Sequence, residues 1–227
     1  VRLVPGSSDI VVAGCGGCGS APLPYTNDIA VARLNADGTL DNAFGTAGTG
    51  KRVLDLGYSE YVGAMAIHPL SKKIALSTGS LDDSFTIVML TENGSYDTNF
   101  GGIGVVTTSF GEESARADSL AFQYIGNRGL TYRLVAGGFA GEPGDRGFAM
   151  ARYKMDGTLD TSFSTDGKVK LNLSYQHDYI TALHIDADRK IVAAGPRKWN
   201  GTYDFAAVRF TPDGALDTGF GIQGKVI

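Results

Sequence analysis

Residues 28–45 read DIAVARLNADGTLDNAFG, and close relatives of this stretch recur three more times in the 227-residue chain. The copies are FTIVMLTENGSYDTNFG at 85–101, GFAMARYKMDGTLDTSFS at 147–164 and DFAAVRFTPDGALDTGFG at 204–221. Each copy carries a turn glycine, an aspartate three residues later and a phenylalanine three residues after that aspartate. Four matched copies indicate one repeated unit of about 57 residues, because chance does not produce such agreement.

The segments around the repeated stretch show the two-residue alternation or short apolar runs that are typical of β-strands. In the second unit this pattern predicts strands at 61–68, 73–78, 85–91 and 103–109. The third and fourth units repeat it, and no segment shows a convincing helical stripe. Four antiparallel strands in each unit are typical of a propeller blade. The predicted fold is therefore all-β and β-propeller-type, with four repeats of a four-stranded antiparallel blade.

The repeats divide the chain into consecutive blades. Residues 1–14 match only the end of a first strand and the whole of a second strand, so the first blade lacks the start of its inner strand. We therefore expect the chain to be a fragment of a longer array, or its terminal blades to self-associate with another copy. The prediction is a single propeller domain, residues 1–227, with repeats at approximately 1–56, 57–109, 110–172 and 173–227.

Composition excludes two classes of partner. The formal net charge is −4, and the charged residues of both signs are interspersed along the chain. Because no basic stripe is present, we expect no nucleic acid as a partner. No apolar run approaches the length of a membrane-spanning helix, so we also expect no membrane insertion. The 32 glycines recur at turn positions, as expected of many short strands joined tightly.

One combination of motifs resembles a known family. The chain repeats FA-x-x-R-aromatic, then DG-x-L-D-x-x-FG and GKV, followed by KIVAAG in the fourth unit. This combination resembles the delta-60 repeat, a bacterial β-propeller repeat of unassigned function. Met89 and Ser164 depart from the pattern, where an arginine and a glycine are expected. The resemblance implies a propeller, usually in longer arrays on secreted or surface-attached proteins, and it implies no activity.

The two cysteines, Cys15 and Cys18, lie in the glycine-rich sequence GCGGCG at 14–19. The motif formally matches a dinucleotide-binding loop, but two prolines follow within five residues and preclude the helix that such a site needs. A zinc site requires four ligands, and no second pair completes it. In a secreted chain we favour a disulfide between Cys15 and Cys18, with free thiols and redox or metal chemistry as the alternatives.

The Asx-Gly turns could supply oxygen ligands to calcium, as N-x-D-G-x-x-D does at 35–41. A recurrent hairpin turn, whose aspartate accepts backbone N–H bonds, explains all four copies better. We expect Arg33, Arg152 and Arg209 to pair with a nearby carboxylate and to tie strand to turn. We expect no cofactor and no bound metal.

Function is expected in the variable connections, because loops carry binding residues on a rigid scaffold. The second and fourth connections of each unit are long and differ between copies, and in a propeller they emerge on one face. In the fourth unit they include RKWNGTY at 197–203 and SYQHDY at 174–179. Exposed aromatics beside polar groups suit a sugar ring or a peptide. The candidate ligand-binding residues are Trp199, Tyr203, Arg197, His177, Asp178 and Tyr175.

The leading functional hypothesis is a non-catalytic extracellular or cell-surface module for binding or adhesion, which recognises a glycan or a protein ligand through this face. One alternative is a hydrolase or lyase that uses His177 with an acid on the same face. The other is a purely structural repeat of a larger surface protein. His68 and His184, near the ends of first strands, are interpreted as core or rim groups. The sequence contains no nucleophile elbow and no H-E-x-x-H motif.

Overall fold

The computed structural model describes residues 1–16, 27–46, 48–58, 60–79, 83–111, 114–126, 130–174 and 176–227. These residues form four sheets of four strands each, and every sheet has its strands in sequence order. Strands adjacent in a sheet run antiparallel. No α-helix occurs in the described ranges, and none of them holds a helix that could cross a membrane. The predicted class, an all-β propeller-type fold of four four-stranded blades, is confirmed.

The chain divides into two compact units. The first comprises Val1–Asp82 and Thr86–Val106, and the second comprises Asp83–Phe85 and Thr107–Ile227. Blade 1 contains β1 (Arg2–Leu3), β2 (Ile10–Gly16), β3 (Asp28–Leu34) and β4 (Lys51–Leu54). Blade 2 contains β5 (Tyr61–Ile67), β6 (Ile74–Gly79), β7 (Phe85–Leu90) and β8 (Val105–Thr108). Blade 3 contains β9 (Ala115–Tyr124), β10 (Tyr132–Ala140), β11 (Gly147–Tyr153) and β12 (Lys168–Leu171). Blade 4 contains β13 (Ala182–Ile185), β14 (Ile191–Trp199), β15 (Thr202–Phe210) and β16 (Lys225–Val226).

Each unit has its own hydrophobic core between two consecutive blades. In the first unit, Ile29 and Val31 of blade 1 pack with Val88 of blade 2. In the second unit, Phe148 of blade 3 packs with Val208 of blade 4. These side chains lie on one face of their strands, since successive residues of a strand point to opposite faces.

The predicted strands of blade 2 are confirmed, and each end lies within two residues of its predicted position. The prediction that RKWNGTY at 197–203 lies in a long connection is wrong. Strands β14 and β15 continue as a hairpin to the two-residue turn Asn200–Gly201, where φ is +48° and +85°. Positive φ at both central residues is typical of the type I′ turn, whose twist matches that of paired strands.

An arginine–aspartate pair ties strand to turn in three blades, as predicted. Nε of Arg33 donates to Asp41 at 2.6 Å, and Nε of Arg209 donates to Asp217 at 2.7 Å. In blade 3, Nε of Arg152 lies 3.0 Å from Oδ2 of Asp160. The second oxygen of each aspartate accepts a backbone N–H two residues later.

Asp160 is the most buried of these three aspartates. Burial by itself would raise the pKa of Asp160, but the hydrogen bonds from Ser162 and Arg133 and the charge of Arg152 outweigh burial, so the pKa is lowered. Blade 2 lacks the arginine, but Nζ of Lys73 lies 2.5 Å from Asp97, and Arg133 and Lys190 pair with their aspartates from the same repeat position. The aspartate of blade 2 therefore keeps this second ion pair although Met89 replaces the arginine.

Candidate ligand-binding site

The hairpin β14–β15 places Arg197 and Trp199 on one face. The two residues are two positions apart on β14, so their side chains point to the same side. The Arg197 guanidinium lies over the indole, 4.9 Å from the ring centroid, and 47 % of Trp199 is exposed. A cation over an aromatic face is attracted by the ring quadrupole. Trp199 is thus a partly exposed aromatic held in place by a stacked guanidinium.

Tyr203 lies on the opposite face of the same hairpin. The register pairs Lys198 with Tyr203 and Trp199 with Thr202, and cross-strand partners share a face. Nζ of Lys198 lies 5.7 Å from the Tyr203 ring, and Tyr203 is 55 % exposed. The structure therefore does not bring Trp199 and Tyr203 together into one surface.

Asp178 is fully buried beneath the hairpin. Its Oδ2 accepts the backbone N–H groups of Leu173 at 2.8 Å and Ser174 at 2.9 Å. Its Oδ1 accepts the Ser174 hydroxyl and, at 3.3 Å, the backbone N–H of Lys198. A carboxylate with these internal partners braces the connection before β13 and the base of the hairpin. Asp178 therefore supports the site from below instead of facing a ligand, as the sequence had suggested.

His177 lies beside the hairpin and is half-buried. Its carbonyl accepts the Lys198 N–H at 3.0 Å, and its backbone forms a parallel bridge with Arg146. The segment 176–178 is thus held between Arg146 and the hairpin. The antiparallel bridge between Asp178 and Arg197 sets His177 opposite Lys198, so His177 shares the face of Lys198 and Tyr203 and not that of Trp199. We call Arg197 and Trp199 the hairpin site. Tyr175, the sixth predicted residue, lies outside the described residues.

Arg146 was not among the predicted site residues. Its backbone N–H donates to Gln176 at 2.9 Å, and its guanidinium stacks 4.3 Å from the Phe139 centroid. Its backbone lies next to that of His177, and its guanidinium is held on the Phe139 ring. The sequence places Arg146 in a long connection of blade 3 on the same face, but no local pattern predicts its backbone bridge to His177, which joins two different connections. By contrast, Asn200–Gly201 was a readable hairpin signal, and it would have assigned Trp199 and Tyr203 to opposite faces.

Two titratable groups outside the hairpin site are buried in the first unit. Glu60 is 1 % exposed, and burial raises the pKa of its carboxyl group, although the backbone N–H groups of Leu56 and Tyr58 donate to Oε1. Burial and the charge of Lys73 lower the pKa of His68. Like Asp178 in blade 4, Glu60 braces the connection that leads into its blade. His184, in contrast, lies exposed on β13.

The aspartates of the Asx-Gly turns accept hydrogen bonds from residues of their own turns. Oδ1 of Asp37 accepts both the backbone N–H and the hydroxyl of Thr39, at 2.9 and 2.6 Å. Oδ1 of Asp156 does the same with Thr158. Among the residues that the structure describes, no three His, Cys, Asp or Glu side chains are grouped to hold a metal ion. These contacts fit the hairpin-turn interpretation.

Cys15 lies at the end of β2 and is disulfide-bonded. Its predicted partner, Cys18, lies outside the described residues. The expected pairing of the two cysteines therefore stays a prediction.

Comparison with known proteins agrees with the fold. Three segments, 25–44, 133–163 and 187–220, match the model of a beta-propeller domain of unknown function, DUF5122. The segments include the Asx-Gly turn in blades 1, 3 and 4. No curated protein matches the chain significantly. The chain is thus similar to a family of β-propeller repeats whose function is not assigned.

Proposed function

We propose that the chain is a non-catalytic binding module that recognises a glycan or a peptide through the hairpin site. One observation carries the proposal: the sole tryptophan of the chain is 47 % exposed and lies on a braced hairpin under a guanidinium. Large aromatics bury most of their surface when nothing else requires them outside. An exposed Trp199 with an arginine stacked on it has the composition of a binding hot spot.

The chemistry of the hairpin site suits a ligand with a flat apolar side and polar edges. The indole offers apolar area at a small cost in conformational entropy, since only two torsions are fixed. Arg197 supplies hydrogen-bond donors and positive charge, which favour hydroxyl, carbonyl or carboxylate groups. A saccharide ring or an extended peptide presents both kinds of surface. One aromatic contact contributes about 1 kcal/mol beyond its buried area, so a single site is expected to be weak.

Rigidity favours binding at this position. The type I′ turn, the paired strands and the buried Asp178 carboxylate restrict the hairpin before a ligand arrives. A pre-ordered surface loses less entropy on association. The adhesion role and the extracellular or cell-surface location belong to this proposal, as does the narrower identification of the blades as delta-60 repeats. The disulfide at Cys15 supports an oxidising compartment.

Glycan and peptide arrays probed with wild type, Trp199→Ala and Tyr203→Ala test the proposal. Tyr203 is the matched control, because it is an aromatic of similar exposure on the opposite face of the same hairpin. We expect Trp199→Ala to weaken binding by on the order of 10-fold or more, and Tyr203→Ala to leave it within about 2-fold. Equal binding by wild type and Trp199→Ala would overturn the site.

The same arrays decide between the alternative functions. A hydrolase or lyase would alter an immobilised ligand, and that turnover would disappear in His177→Ala. A purely structural repeat would bind no array ligand at any concentration. Either result would contradict a binding module.

A further inference from the structure

Consecutive blades pack through the same two faces in both units. One is the leading face, which carries Ile29 in blade 1 and Phe148 in blade 3. The other is the receiving face, which carries Val88 in blade 2 and Val208 in blade 4. The leading face of blade 1 packs on the receiving face of blade 2, and blade 3 packs on blade 4 in the same way. The interface between blades is therefore itself a repeated element.

An aromatic ring and a turn glycine form the centre of this repeated interface. The Phe44 ring lies so close to Gly94 that a Cβ added there would be 2.7 Å from Cζ. The Phe163 ring covers Gly214 in the same way, with 2.8 Å to the nearest ring carbon. Both phenylalanines are completely buried. Only glycine leaves the space that the ring of the preceding blade requires.

The arginine of the leading face adds a hydrogen bond to the same turn. Nη1 of Arg33 donates to the Glu92 carbonyl at 2.6 Å, and Nη1 of Arg152 donates to the Pro212 carbonyl at 2.5 Å. Each acceptor lies two residues before the turn glycine. One arginine thus pairs with the aspartate of its own blade and also binds the turn of the next blade.

The leading face of blade 4 is exposed. Phe205 is 65 % exposed, whereas the residues at the same repeat position, Ile29, Phe85 and Phe148, are 0, 0 and 1 % exposed. Phe220, which corresponds to the buried Phe163, is only half-buried. Blade 4 therefore presents to solvent the apolar residues that blades 1 and 3 bury against the blade that follows them in the same unit.

The receiving face of blade 1 is exposed in the complementary way. Gly38 is exposed, and a Cβ added there would meet none of the described atoms within 4 Å. Beside this turn, small and apolar side chains leave a groove of about 410 Å³ on the sheet. The groove is lined mainly by Val12, Gly14, Ala30, Ala32 and Val53.

We infer that the leading face of blade 4 docks on the receiving face of blade 1 in a second copy of this chain. Phe205 then enters the groove beside Ala30, and Phe220 covers Gly38. Arg209 donates to the carbonyl of Ala36, the position that Glu92 and Pro212 hold in their turns. The two faces fit because they are equivalent to faces that already pack together. The leading face of blade 4 corresponds to those of blades 1 and 3, and the receiving face of blade 1 corresponds to those of blades 2 and 4. Since the two faces differ, the contact is heterologous and produces closed rings or growing chains.

Two complementary variants test this contact. Phe205→Lys places a charge on the leading face and leaves the receiving face intact, whereas Ala30→Glu does the reverse. Sedimentation velocity from about 1 µM to about 1 mM should show wild type associating with increasing concentration, across the affinity range of ordinary interfaces. Each variant alone should remain a monomer. An equimolar mixture should form a one-to-one dimer, because each copy contributes its intact face.

Leu70→Lys is the matched control, because it adds the same charge at an exposed apolar residue away from both faces. This variant should associate like wild type, and circular dichroism should show the same β-sheet spectrum for all proteins. Wild type that stays monomeric over the whole range would overturn the inference. So would variants that associate as well as wild type, or a mixture that remains monomeric.

Discussion

At the scale of single residues, His68 illustrates how a turn holds a neutral imidazole. Its Nδ1 accepts the backbone N–H groups of Leu70 and Ser71, at 3.2 and 3.0 Å. A nitrogen that accepts hydrogen bonds carries no proton, so the fold requires the neutral ring. In blade 4 the same role falls to Asp186, whose Oδ1 accepts the Lys190 N–H at 2.9 Å. The turn needs an acceptor at this position rather than a histidine as such.

This arrangement predicts a pH-dependent stability. Burial and Lys73 lower the pKa of His68 in the folded chain. Below about pH 6.5 the unfolded chain binds a proton that the folded chain resists, so stability falls as the pH decreases toward the lowered value. Urea unfolding of wild type should therefore show a loss of unfolding free energy between pH 7.5 and 5.5. His68→Asn keeps an acceptor without titrating, and it should lose less over that interval.

The two proteins differ only at residue 68, so the difference between the two pH profiles reports on His68. Identical profiles for wild type and His68→Asn would contradict the assigned hydrogen bonds.

At the scale of elements, the repeat made the blades predictable. The aspartate and the phenylalanine that follow each turn glycine lie where strand, turn and neighbouring blade meet. This position constrains their spacing, so the spacing recurs in every copy and can be recognised in the sequence. The same logic explains the arginine pairs and the second cation, Lys73, Arg133 or Lys190, that pairs with the same aspartate. The hairpin at Trp199 was missed because its sequence, RKWNGTY, belongs to no repeated pattern. Its Asn-Gly turn was the local signal that could have identified it.

The contact between blades predicts unequal effects for two equivalent phenylalanines. Phe163 is fully buried against Gly214, whereas Phe220 is half-buried. Phe163→Ala should lower the unfolding free energy by about 3 to 4 kcal/mol, because it removes the ring and leaves a cavity. Phe220→Ala should cost about 1 kcal/mol in dilute monomeric protein, since the ring is already partly in water. Urea titrations of the two variants at equal concentration measure the difference, and equal losses would refute the packing role of this position.

At the scale of the whole molecule, composition and repeats established the fold class but not the arrangement of the candidate site. Trp199 and Arg197 lie on β14 and His177 lies in the connection before β13, and the strand register decides which of them share a face. A shift of one residue would exchange Trp199 with Tyr203. The burial of Asp178 could not be predicted from the sequence either, because a carboxylate in a polar loop has the same sequence context whether it faces solvent or backbone amides.

The fluorescence of Trp199 tests the proposed binding function most directly, because it is the only tryptophan in the chain. Emission and iodide quenching are recorded while an array-selected glycan or peptide is titrated into the wild-type protein. A ligand that covers the exposed part of the indole should shift the emission to shorter wavelength and reduce quenching in proportion to occupancy. A ligand that saturates the protein while both signals stay unchanged would show that binding occurs elsewhere, and it would contradict the hairpin site.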